Sequence, residues 1–166
     1  MTSENTPGDV VDRIRREWAA AYPDLDTDPV EIFGRVNRIA SALAHQLDRD
    51  LEAHAIGRSE FDVLGALARA DRPLRASEVV STTMLSGASI TKLTERLAAL
   101  DLLHRRKSER DGRVVLLELT DAGRELVDTQ FPRRLARDTE LVAELDDDER
   151  STLITLLRKV SRSLPE

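Results

Sequence analysis

A mainly helical fold, with a helix-turn-helix followed by a two-stranded β wing, is what this sequence predicts. Three observations carry the expectation. Apolar residues recur at helical spacing along most of the 166 residues. Two helical segments in the middle are separated only by Met84 and Leu85, and two extended runs then flank an Asp111-Gly112 turn. The length suits one domain with helical extensions and a core of its own. The absence of cysteine excludes disulfides, thiolate chemistry and cysteine-held metals. No apolar run reaches the roughly 18 residues that cross a bilayer, and MTSENTPGD lacks the apolar stretch of a secretion signal, so a cytoplasmic protein is expected.

Val10, Val11, Ile14, Trp18 and Tyr22 share one helical face, predicting a first helix over about 9–21 that stops before Pro23. Pro29 lies near the start of a second helix of about seven turns, with Ile32, Val36, Ile39, Ala40, Leu43, Leu47 and Leu51 on its inner face. Ser59, with Asp62 three residues on, resembles a capping box opening a helix with Phe61, Leu64, Leu67 and Ala68 inside. Asp71-Arg72-Pro73 ends it. A short helix is expected over 76–83, and Ser86-Gly87 starts another that runs to about Leu100. Leu102 to Arg106 and Val114 to Leu119 read as paired strands joined by 107–112. Thr120 caps a long helix to about Leu145, bent at Phe131-Pro132, and Asp146 to Glu149 opens a last one with Leu153, Ile154, Leu157 and Val160 inside.

The net charge of −6 is unevenly spread. Residues 1–70 carry 8 basic and 13 acidic side chains, whereas 84–116 carry seven basic and four acidic. An acidic chain with one basic island suggests a local polyanion contact. On the second helix of the pair, Ile90, Leu93, Leu97 and Leu100 form the inward stripe, which leaves Ala88, Thr91, Lys92 and Glu95 opposite, able to meet base edges. The hairpin carries Arg105, Arg106, Lys107, Arg110 and Arg113 within nine residues, cations that repel one another unless phosphate neutralises them. Asp111 stands two residues before Arg113, where a charge-assisted hydrogen bond could aim the guanidinium at a narrow minor groove.

From about residue 30 to 164 the chain resembles the MarR (multiple antibiotic resistance regulator) family of winged-helix transcription factors. The residues that carry the resemblance are Asp111-Gly112-Arg113 and Leu119-Thr120-Asp121-Ala122-Gly123-Arg124, with Arg96-Leu97 and Asp101-Leu102-Leu103 upstream. Asp101 stands where the family usually has glycine; aspartate tolerates a left-handed backbone better than most residues. The resemblance implies a homodimer joined through the terminal helices and a double-stranded DNA partner. The DNA-contacting set is expected to be Ser86, Ala88, Ser89, Thr91, Lys92, Glu95, Arg96, Arg105, Arg106, Lys107, Arg110, Asp111 and Arg113. It also implies residues 1–55 as N-terminal helices for dimerisation and a ligand cleft, 56–120 as the DNA-binding domain, and 121–166 as C-terminal dimerisation helices.

Trp18 followed by Pro23-Asp24-Leu25-Asp26 is similar to the urate-responsive subgroup, in which a tryptophan, an aspartate and two arginines form the ligand site. Trp18, Asp62 and Arg105 match, while the first arginine position falls on Leu93. The implied effector is therefore a small aromatic or phenolic molecule, neutral or singly charged ahead of urate itself. His45, His54 and His104 lack metal-ligand spacing and no catalytic constellation is present, so neither an enzyme, a metal nor a cofactor is expected. The expected function is a DNA-binding transcriptional regulator, a repressor ahead of an activator. The alternative from another class is a winged-helix protein-interaction module without specific DNA binding.

Overall fold

The structure, a computed structural model, describes residues 8–70, 72–83, 85–108 and 111–164. It divides into two compact units, Met1–Ala53 and His54–Glu166.

In the first unit, α1 (Val10–Ala21) and α2 (Asp28–Glu52) pack together. Asp9 caps α1: its carboxylate accepts from the Val11 and Asp12 amides, and the Asp12 carboxylate accepts from the Asp9 amide. Arg35 of α2 then reaches both acids, at 3.1 Å from Asp9 and 2.6 Å from Asp12, which holds the Asp12 carboxyl below its ordinary range. Gly34 allows the close crossing. A Cβ there would stand 2.7 Å from Cγ1 of the buried Val11. Of the five residues expected on the inner face of α1, only Val11 is buried; Ile14, Trp18 and Tyr22 are exposed, and on α2 so are Ile32, Val36 and Ile39. Among the described residues, this unit holds no third helix or strand to cover that face.

The second unit is built on α3 (Arg58–Ala68), β1 (Leu74–Arg75), α4 (Ala76–Thr83), α5 (Gly87–Ala99), β2 (Leu103–Lys107), β3 (Val115–Leu119), α6 (Asp121–Leu141) and α7 (Asp147–Ser161). Its core joins Phe61, Val63, Leu64 and Leu67 of α3 with Val79, Ile90, Leu97, Leu103, Leu117, Leu126 and Val127. Each such side chain contributes about 1.5–3 kcal/mol by leaving water. The sheet has three strands rather than two, ordered β1-β3-β2: Leu74 pairs with Leu117 and Arg75 with Leu116, while Leu103 to Lys107 pair with Leu119 to Val115. The sequence reading missed β1 because a two-residue strand has no periodicity.

The cap of α3 also differs from expectation. Gly57, not Ser59, is the N-cap, and Glu60, not Asp62, closes the box by accepting from the Gly57 amide at 2.7 Å. The long helix α6 stops at Leu141 rather than Leu145. Arg150 donates to the Val142 carbonyl at 3.0 and 3.2 Å, satisfying a group left open at that end. Pro132 sits inside α6, where it removes one helical donor. Within α7 no residue is buried, so Leu153, Ile154, Leu157 and Val160, expected inside, are exposed.

In the first turn of α4, Glu78 accepts from Arg72 at 2.6 Å and from the Arg75 amide at 2.7 Å, contacts that hold its carboxyl at about 2, well below the usual 4.5. The stability this carboxylate adds is present above about pH 4.5 and is lost as pH falls through about 2. Glu78→Gln should therefore lower the urea midpoint at pH 7 and lower it less at pH 3; equal differences at both would disprove the linkage.

Candidate nucleic-acid interface

The pair α4 and α5 forms the helix-turn-helix, and the burial of α5 fixes its outward side. Ile90, Thr94 and Leu97 face the core, whereas Leu100, expected on the inward stripe, is exposed just past the helix end; this turns Ser86, Ala88, Ser89, Thr91, Lys92 and Glu95 to solvent. The first turn is tied in place. Ser86 caps it by accepting from the Ser89 amide at 3.2 Å, its hydroxyl lies 2.8 Å from that of Ser89, and Thr91 donates to the Gly87 carbonyl at 3.1 Å. Lys92 has no hydrogen bond or ion pair among the described residues, so its ammonium is available to phosphate.

At its other end α5 closes with a Schellman turn. The Asp101 amide donates to Ala98 at 3.1 Å and the Leu102 amide to Leu97 at 3.0 Å, with Asp101 in the left-handed region at φ 58°. This is where the family glycine was expected, and aspartate adopts the required backbone. The chain then enters the wing. Thr120, at the wing's exit, donates from its hydroxyl to the Asp101 carbonyl at 2.6 Å and accepts from the Gly123 amide at 3.0 Å.

The cations fall into two groups. Arg106, Lys107 and Arg113 are exposed and have no side-chain partner among the described residues. Arg105 belongs elsewhere: strand alternation puts it on the inner face with Leu103, opposite the buried Leu117. Its guanidinium lies 2.9 Å from Glu95 of α5, with the side chain only a quarter exposed and its Nε buried without a partner. Arg110 lies outside the described residues.

Two further sequence expectations change role. Asp111 accepts from the main-chain amide of Arg113 at 3.0 Å, so it shapes the turn instead of gripping the guanidinium. The reason is local: an aspartate reaches the amide two residues on without ordering a long side chain. Arg96 turns away from the exposed stripe. It donates to both oxygens of the buried Glu60 at 2.7 and 2.8 Å and to the carbonyl of Ala55, itself at φ 55°, at 2.5 Å. Glu60 is thus a positioning residue for α5 that the sequence reading missed. The only signal was an acid three residues after Gly57.

The residues expected to hold a ligand are placed as follows. Trp18 lies on α1, half exposed, its ring 5.5 Å from that of Tyr22 and inclined by 31°. Asp62 is on the exposed side of α3, and it shares no hydrogen bond or ion pair with Arg105.

A family model described as MarR family matches residues 56–114, the stretch from the end of the α2–α3 connection to the wing. The HTH-type transcriptional regulator PecS of Dickeya dadantii is 27% identical over 156 residues, spanning 93% of this chain and 94% of PecS. A structure of Bordetella bronchiseptica BpsR, concerned with regulation of its DNA binding by 6-hydroxynicotinic acid, superposes with a TM-score of 0.66 at 27% identity, covering 79% of this chain and 98% of that one. The S. aureus MepR–DNA complex superposes at 0.73 with 22% identity, over 78% and 95% of the two chains, a likeness of fold.

Proposed function

We propose that the chain is a member of the MarR family of winged-helix transcriptional regulators, whose members regulate transcription and are not enzymes, and that it is a homodimeric repressor released from a pseudo-palindromic operator by a small aromatic molecule. One observation carries the DNA reading: the exposed stripe of α5 lies beside a wing whose Arg106, Lys107 and Arg113 have no side-chain partner among the described residues. The exposed apolar faces of α1, α2 and α7 support a second copy as the subunit that covers them. Two recognition helices related by a two-fold axis would enter successive major grooves, with half-site centres about 10 bp apart. A gel-shift titration with the DNA flanking its own gene tests this. Binding no tighter than to random duplex at physiological salt would favour an interaction module instead.

Within that reading the cations act differently. Arg113→Ala should weaken operator binding by about 1–3 kcal/mol, whereas Lys92→Ala should weaken all duplexes and reduce the salt slope by about 1. Parental binding by both variants across a salt series would disprove the assignment.

For the effector, the Trp18–Tyr22 pair supports an aromatic or phenolic ligand that stacks. BpsR, whose DNA binding responds to an aromatic acid, is a relative that supports the same class. Trp18 is the only tryptophan, so its emission reports on this site alone. Salicylate or neutral phenols should quench it and release DNA; no response to either, or to urate, would refute an effector at Trp18.

A further inference from the structure

Glu95 is an acid at the centre of a surface that would face a polyanion. At 100° per residue it lies almost diametrically opposite the buried Ile90 and Leu97, in line with Ala88 and Lys92. A carboxylate there gains nothing from phosphate, which has no hydrogen to donate. Nor is it free to swing away, because Arg105 stands 2.9 Å from one of its oxygens. Arg105 is itself held by its buried stem, with Nε enclosed, whereas the Glu95 side chain remains 59% exposed.

We propose that Glu95 is the residue that specifies a cytosine in each half-site, and that Arg105 is its positioning residue rather than a DNA contact. This rests on the DNA-binding reading above. The pair offsets the acid's charge, so docking does not bring a bare anion to the groove, yet it leaves an acceptor on the outer side. Among major-groove edges, an acceptor is met by the amino groups of cytosine and adenine; guanine and thymine offer acceptors of their own at the matching place. A single carboxylate acceptor suits the cytosine amino group. Adenine, with its adjoining N7 acceptor, is better met by an amide that both donates and accepts.

Selection of binding sites from a randomised duplex pool, with full-length wild type, Glu95→Gln, Arg105→Met and Arg105→Lys, tests both roles. Wild type should select cytosine at one position per half-site and lose at least fivefold in affinity when that pair is inverted. Glu95→Gln should change the selected base to adenine while binding random duplex more tightly than wild type does. Arg105→Met should blunt the cytosine preference and leave the salt slope unchanged, and Arg105→Lys should restore part of it. An operator selected with the same bases by wild type and Glu95→Gln overturns the proposal while leaving the DNA-binding reading intact. A salt slope lowered by about one in Arg105→Met would make Arg105 a phosphate contact and overturn its positioning role. Wild type that selects no sequence overturns both this inference and the reading on which it rests.

Discussion

Gly123→Ala is expected to destabilise the protein by about 3 kcal/mol or more, at the upper end of what overpacking costs. Gly123 sits in the first turn of α6, where a Cβ would lie 1.9 Å from the carbonyl oxygen of Leu102 and 2.9 Å from its carbon. Both are main-chain atoms, so no side chain can rotate to make room. The Leu102 carbonyl also accepts from the Thr120 amide at 3.3 Å, and the Gly123 amide donates to the Thr120 hydroxyl, so retreat of either segment breaks contacts that hold the wing's base. Equilibrium unfolding in urea checks this: a loss under 1 kcal/mol would mean that the junction yields more easily than its contacts imply.

The second large effect is expected at Arg96. Replacing it with methionine keeps much of the stem but leaves the Glu60 carboxylate, only 3% exposed, without its cation. Breaking a buried pair by removing one member costs about 3–5 kcal/mol; because the Arg96 side chain is itself 56% exposed, water would recover part of that, and about 2 kcal/mol is the expected loss. Operator affinity should fall further than stability requires, since α5 loses its tie to the N-terminus of α3 and to the Ala55 carbonyl. Glu60→Gln with Arg96→Met should recover stability without recovering operator affinity. Recovery of both would show that Arg96 does no more than neutralise Glu60.

These two positions also show what the sequence could and could not disclose. The Thr120 cap was legible because a cap is a local requirement, met by residues three apart, whereas the close approach of Gly123 to Leu102, 21 positions away, was not. The orientation of α5 was legible as well, since burial of Ile90 and Leu97 follows from helical period. Partners distant in the chain were not. Glu60 and Arg96 are 36 residues apart, and the acid three residues after Gly57, the one local sign of the cap, says nothing of Arg96. A count of cations on the hairpin likewise could not separate Arg105, turned inward to Glu95, from Arg106, turned outward by the alternation of the same strand. The faces of α1 and α7 were recognised as apolar, but whether an apolar face is covered by its own chain is invisible to periodicity.

The fastening at the base of the wing has a consequence for the entropy of recognition. Because the end of α5, the start of β2 and the start of α6 are joined through Asp101, Leu102, Thr120 and Gly123, the backbone that presents the wing is already ordered before any partner arrives. Among the described residues of the wing, what docking would immobilise is mainly the rotamer freedom of Arg106, Lys107 and Arg113, at most about 2 kcal/mol for each. A duplex that engages all three therefore forfeits far less than one that must also fold a loop. Variation in affinity between related sites should accordingly appear in dissociation rates more than in association rates.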